Sequence, residues 1–150
     1  MDLILWRHAE AEEGVPDLAR RLTAKGHKQA ARVAGWLAQH LPKDARVLVS
    51  PAVRAQETAV ALTTAFETVQ AIAPGAHALA LIDAVEWPRA KHTVLVVGHQ
   101  PTLGEAAGML VTGTHQEWPL KKGAILWLTY RTRGHAGEVV IRAALSPELA

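Results

Sequence analysis

Three times along the chain a short, wholly apolar run breaks off at one or two polar residues and gives way to a helical stretch. This pattern limits what the sequence can fold into. The first run, Leu3-Ile4-Leu5-Trp6, stops at Arg7-His8. A polar loop over residues 9–22 leads to Thr23, a good helix N-cap, after which Ala30, Ala34, Leu37 and Leu41 form an amphipathic stripe ending before Pro42. The second run, Val47-Leu48-Val49, meets Ser50-Pro51, read as an N-cap with proline at the first helical position. Ala55, Ala59, Leu62 and Phe66 then repeat the stripe. The third, Val94-Leu95-Val96-Val97, meets Gly98-His99-Gln100-Pro101, followed by Leu103, Ala106, Ala107 and Leu110. A strand apolar at every position has both faces covered, so these runs predict a parallel sheet between two layers of helices. A further strand is expected near residues 69–72 and a helix near 76–86. In the tail, residues 124–130 and 139–145 read as a hairpin or antiparallel edge. The expected fold class is α/β: a three-layer αβα sandwich with a mostly parallel central sheet and an antiparallel edge, in one domain over residues 1–150.

Composition narrows the function. A chain of 150 residues that is 49% hydrophobic, with a net charge of only +2, has enough apolar material for a core and is not globally disordered. No apolar run is long enough to span a bilayer, and a start that runs through Leu3–Trp6 straight into Arg7 is no signal peptide, so a cytoplasmic location without membrane partners is expected. The absence of cysteine excludes disulfides, thiolate metal sites and cysteine nucleophiles. Sixteen basic against fourteen acidic residues is a weak hint of an anionic partner, and no basic stripe interleaved with aromatics suggests nucleic acid. Histidine is the conspicuous residue, with eight copies against one Tyr and one Phe.

Ligands of an open parallel α/β sheet bind beyond the carboxyl ends of its strands. Those ends deliver Arg7 and His8 from the first run and His99 from the third, while the second places Arg54 in the first turn of its helix. Two imidazoles and two guanidiniums beside helix N-termini suit a phosphoryl group better than a metal, which would want carboxylate or thiolate ligands. One His can attack phosphorus, and another can donate to an equatorial oxygen. Singly, each is as well read as a surface or turn residue. Their equivalent topological positions argue for a common site.

The same residues carry a family resemblance. Leu5-Trp6-Arg7-His8-Ala9-Glu10-Ala11 resembles the Arg-His-Gly signature of the histidine phosphatase superfamily, in the form found in SixA-type phosphohistidine phosphatases. Arg21-Leu22-Thr23-Ala24-Lys25-Gly26 is similar to that group's Leu-Thr-x-x-Gly segment. Val49-Ser50-Pro51-Ala52-Val53-Arg54-Ala55 with Thr58-Ala59 resembles its second arginine motif, and Val97-Gly98-His99-Gln100-Pro101-Thr102 its second histidine motif. The resemblance covers about residues 2–111 and implies a phosphoglycerate mutase-like fold. It implies His8 as the nucleophile that becomes a phosphohistidine, with Arg7, Arg54 and a protonated His99 holding the phosphoryl oxygens. Water then hydrolyses the phosphoenzyme, with no metal or organic cofactor. Ala9 replaces the usual glycine, and Gln56 falls one position early and receives no role.

Two absences bear on the substrate. Mutase-like and acid-type members carry a glutamate before the third strand that protonates the leaving oxygen, whereas residues 68–82 here contain no carboxylate. Asp83 and Glu86 follow and read as solvated helix residues. An alkoxide needs a general acid; the imidazole of a phosphohistidine needs less help. Only 26 residues, 67–92, separate the second helix from the third strand, too few for a covering insertion and consistent with an open site. The expected function is therefore a phosphohistidine phosphatase acting on a phosphoprotein such as a phosphotransfer protein. The alternatives are a phosphatase for small phosphoesters or phosphoramidates, or a non-catalytic phosphate-binding module. The sequence offers no handle on oligomeric state. Arg21 is a candidate for lining the entrance. His27, His40, His77, His92, His115 and His135 read as surface residues, the tryptophans other than Trp6 as core or edge residues, and Lys121-Lys122 as a charged guard on the edge strand.

Overall fold

A computed structural model describes the whole chain, Met1–Ala150. Its elements are β1 (Asp2–Arg7), α1 (Ala24–His40), β2 (Arg46–Val49), α2 (Val53–Val60), β3 (Glu67–Thr68), α3 (Ala78–Ala84), β4 (Val94–Gly98), α4 (Thr102–Thr112), β5 (Ile125–Arg133) and β6 (Ala136–Leu145). One six-stranded sheet holds them in the order β3-β2-β4-β1-β5-β6. The first four are mutually parallel, while β5 runs antiparallel to β1 and β6 antiparallel to β5.

The continuous apolar strands follow from burial on both faces. Successive side chains of a strand point to opposite sides. Leu3 and Leu5 of β1 join Leu48, Val94 and Val96 beneath Leu81 of α3 and Leu103, Ala106 and Ala107 of α4. Ile4 and Trp6 join Val47, Val49, Leu95 and Val97 beneath Val33, Ala34 and Leu37 of α1 and Ala55 and Ala59 of α2. These are the three layers. No helix is long and apolar enough to cross a membrane.

Local signals place most boundaries. Thr23 caps α1, its hydroxyl accepting from the Gly26 amide. Gly113, at φ 74, closes α4 with a left-handed residue that favours glycine. Elsewhere the structure departs from the sequence reading. The strand expected at 69–72 is only Glu67–Thr68, followed by a 3-10 turn at Gln70–Ile72. Pairing stops there because its sole neighbour, β2, ends at Val49. The second helix is shorter than its stripe, although Leu62 and Phe66 still pack against the core. Ser50 does not cap it: the N-cap is Ala52, and Ser50 Oγ, two residues earlier, accepts from the Ala52 amide. The terminal hairpin is longer than expected, reaching a tight turn at Gly134 (φ 62) and His135, with Arg131 and Glu138 paired across it at 2.8 Å.

The helices after β1 and β2 lie on one face of the sheet, and the helix after β4 lies on the other. The chain therefore leaves adjacent strands in opposite directions and opens a crevice at their carboxyl ends. Register brings those ends level, with Arg7 opposite Gly98 and Val49 opposite Val97.

Candidate active site

His8 continues the ladder by one residue, its amide donating to the Gly98 carbonyl at 3.0 Å. Its side chain is only 8% exposed. Nδ1 lies 2.7 Å from the carbonyl oxygen of Ala9. A carbonyl only accepts, so Nδ1 carries the proton and Nε2 keeps its lone pair. Nε2 is met by the Arg54 Nε–H at 3.3 Å. Burial pushes the His8 pKa down to about 4; the Ala9 hydrogen bond opposes that shift and the Arg54, Arg7 and Arg20 charges add to it. The ring is therefore neutral at neutral pH, with a nucleophilic nitrogen turned toward a guanidinium.

Arg54 enters from the first turn of α2 and is itself buried. Its Nη1 donates to the Asp17 carbonyl at 2.8 Å and its Nη2 to Asp17 Oδ2 at 3.1 Å. Arg7 donates from Nη1 to the Leu120 carbonyl at 2.7 Å. The loop carrying Leu120 is pinned to α4, since Gln100 Nε2 donates to the Trp118 carbonyl at 2.8 Å and the Trp118 amide to the Gly104 carbonyl at 3.2 Å. Gly104 is required there, because a Cβ would collide with the Trp118 carbonyl.

His99, 4% exposed, follows β4, its ring centroid 5.1 Å from that of His8. Its Nε2 lies 2.7 Å from Ser50 Oγ. Burial, reinforced by His8 and Arg54, pushes its pKa down to about 3. The His99 that the resemblance implies to be protonated is thus neutral at neutral pH. Assigning the Ser50 hydroxyl hydrogen to Nε2 places the His99 proton on Nδ1.

Two buried side-chain atoms in the whole chain lack a hydrogen-bond partner, Arg7 Nε and His99 Nδ1. Buried donors without partners are rare and costly, so a pair in one cluster marks a place where a ligand supplies acceptors.

Sequence reasoning gave no part in the site to several residues that hold this arrangement. Thr58 Oγ1 accepts from the Ala9 amide at 3.0 Å and donates to the Arg54 carbonyl at 2.7 Å. It ties the peptide that orients His8 to the helix that carries Arg54. Gln56 donates to the Ser50 carbonyl at 2.7 Å. Asp17 lay unremarked in a polar loop. Ser50, at a strand end equivalent to those of His8 and His99, offers a signal that the expectation of an N-cap obscures.

Arg21 is not brought to the cluster. Its exposed guanidinium lies 3.7 Å from Glu57, and it is the neighbouring Arg20 that reaches Asp17, at 3.1 Å. The loop folds back at the bridge between Ala11 and Leu22, and the two adjacent arginines point apart. Glu86 pairs with Arg46 at 3.4 Å, at the amino end of β2 and so at the opposite rim, and Asp83 lines the same surface hollow as Glu86. Neither is placed to protonate a leaving group. Of the other histidines, His40 stacks on Trp36 and His92 pairs with Asp44. No group of three or more His, Asp or Glu side chains is arranged to hold a metal ion.

The two depressed imidazoles give the fold a pH signature. Between the ordinary value of 6.5 and about 4, an unfolded chain takes up protons on His8 and His99 that the folded chain does not. Stability therefore falls as pH falls through that window. In His99→Gln one of the two contributions is gone. The Tm of the wild type relative to this variant should drop steadily from pH 6.5 to pH 4; a constant difference would contradict the burial argument.

Residues 3–76 match the profile of the histidine phosphatase superfamily, branch 1. A phosphohistidine phosphatase SixA homolog from Haemophilus influenzae is 39% identical over 126 residues, covering 73% of this chain and 77% of that protein. This chain belongs to the histidine phosphatase superfamily. Within it the chain is of the SixA type, a phosphatase with a histidine nucleophile. The structure of the histidine phosphatase SixA complexed with tungstate superposes on this SixA-type enzyme with a TM-score of 0.78, at 25% identity, over 98% of this chain and 97% of that one. A phosphoserine phosphatase from Entamoeba histolytica shares the fold at 17% identity, with a TM-score of 0.71 over 98% of each chain.

Proposed function

We propose that this SixA-type phosphatase removes the phosphoryl group from a phosphohistidine on a protein, with His8 as the nucleophile. The observation that carries the site assignment is the pair of partnerless buried atoms, Arg7 Nε and His99 Nδ1, beside the His8 Nε2 lone pair, which only the Arg54 Nε–H meets. A phosphoryl group seated there gives both donors an acceptor oxygen, and Arg54 has further N–H groups to offer a third. His8 Nε2 attacks phosphorus, the P–N bond of the substrate breaks, and the phosphoryl group passes to His8. Arg7, Arg54 and the Nδ1–H of His99 stabilise the equatorial oxygens. A neutral His99 is enough for this, since a single N–H suffices. Water then cleaves the phosphoenzyme.

The substrate class rests on leaving-group chemistry. Asp83 and Glu86 lie away from the site, so no acid from that segment is available to an alkoxide, whereas an imidazole needs less help to leave. The short connection between α2 and β4 leaves the rim accessible to a side chain on a folded protein. The name of the Haemophilus relative points the same way, and the tungstate in the SixA structure is a tetrahedral oxyanion like the group proposed here. The test compares kcat/KM for a phosphohistidine-bearing phosphotransfer domain with values for sugar phosphates, with and without EDTA. A clear preference for the phosphoprotein, unaffected by chelator, is expected. A preference for the esters would assign the enzyme to small phosphoesters instead.

A further inference from the structure

We propose that Asp17 is a specificity-determining residue: its carboxylate accepts the ring N–H of the departing imidazole and so selects phosphohistidine over phosphate esters. The inference rests on the phosphohistidine reading above and deepens it.

Asp17 opens a 3-10 turn, Asp17–Ala19, in the loop between β1 and α1. Its carboxylate is the one that hydrogen-bonds to the cluster, through Oδ2 to Arg54 Nη2 at 3.1 Å. Oδ1 accepts from Arg20 Nη1, also at 3.1 Å. A carboxylate offers about four acceptor positions, so about two remain open. The groups that face it are Arg20 from its own loop, Arg54 from α2, and His99 beyond, whose ring feels its charge.

Position follows from burial. His8 and His99 are almost fully enclosed, whereas the Asp17 side chain is 55% exposed. The nucleophile approaches phosphorus from the interior, and in-line displacement sends the leaving group out on the solvent side. Asp17 stands on that side, bonded to the same guanidinium that would hold the phosphoryl group.

Charge then decides what the carboxylate can do. Its hydrogen bond to Arg20, joined by that to Arg54, holds the Asp17 carboxyl below the usual range. It is ionised at neutral pH, an acceptor with no proton to give. An alkoxide departing beside it gets no proton and meets a like charge. A phosphoimidazole takes up a proton from solvent on the ring nitrogen not bonded to phosphorus, and the carboxylate stabilises that protonated form. As the His8 Nε2 lone pair forms the new N–P bond, the old P–N bond breaks and its electron pair stays on the departing nitrogen. The ring leaves as neutral imidazole with its proton in place, and Asp17 is unchanged.

The test uses the full chain and Asp17→Asn, with a phosphohistidine peptide and p-nitrophenyl phosphate as substrates. The phenolate carries no ring N–H, and its turnover also reports that the variant is folded. The ratio of the two kcat/KM values should fall about tenfold or more in the variant, the scale of a hydrogen bond to a charged group. The alkaline limb of kcat for the phosphohistidine peptide should move to lower pH, because the protonated ring has lost its counter-charge. Equal losses on both substrates with an unmoved limb would overturn the proposal, leaving Asp17 only a brace for Arg54. A wild type inactive on the phosphohistidine peptide would overturn the substrate reading itself, before any variant is compared.

Discussion

His8→Ala is expected to lose turnover by about 10⁴-fold or more, the scale seen when a covalent nucleophile is removed. The reason lies in how fully the other candidates are committed. His99 Nε2 is engaged by Ser50, the Ser50 hydroxyl by His99 and Ala52, and the chain has no cysteine. No second nucleophile stands beside the donors, so the residual path is direct attack by water. The variant keeps Arg7, Arg54 and His99 and should still bind tungstate or vanadate. Loss of chemistry with oxyanion binding retained is thus the diagnostic outcome. Rapid quenching into alkali, where a phosphoramidate survives, should trap labelled phosphoenzyme from the wild type and none from the variant. Turnover surviving in His8→Ala, or label persisting in it, would remove His8 from the role proposed.

The second large effect is expected at Arg54, and even Arg54→Lys should show it. The guanidinium is buried, and one planar fork serves His8 Nε2, the Asp17 carbonyl and the Asp17 carboxylate at once. An ammonium keeps the charge but is a point donor that cannot reach all three. The Asp17 carboxylate then keeps Arg20 but loses the fork that ties it to the cluster. Loss of one such transition-state donor costs roughly 10²–10³-fold in kcat. For Arg54→Lys we expect kcat/KM to fall by about that factor, with weaker oxyanion binding, in contrast to His8→Ala. Far-ultraviolet circular dichroism checks that the fold is retained. A lysine variant with near wild-type kcat/KM would show that charge alone suffices and that the fork geometry is unimportant.

How much of this was legible beforehand varies by element. The strands β1, β2 and β4 were readable because each is covered on both faces and carries polar residues at most at its ends. The short β3 was misplaced because its length is set by where β2 stops, a fact about a neighbour. The hairpin was underestimated because its outer half is exposed, and polar residues held by cross-strand pairs resemble loop. Within the site, Arg7, His8, Arg54 and His99 stood out because they sit at strand ends or a helix start, where topology assigns them a shared rim. Arg21 was the candidate for the entrance, yet Arg20 is the one that reaches Asp17, since adjacent residues in an irregular loop differ only in which way the backbone turns.

By itself, then, the sequence determined the layers, the parallel sheet, the rim at which chemistry gathers and the residue types available for it. Periodicity and apolar runs are local properties, and burial on two faces leaves a mark at every position. Only the tertiary structure decided the tautomer of His8, the neutrality of both imidazoles, the two partnerless donors, and the places of Ser50, Thr58 and Asp17. Those properties depend on desolvation and on hydrogen bonds between residues about 40 to 50 positions apart, such as Ala9 with Thr58 and Ser50 with His99. They come into being only when the chain closes and water leaves.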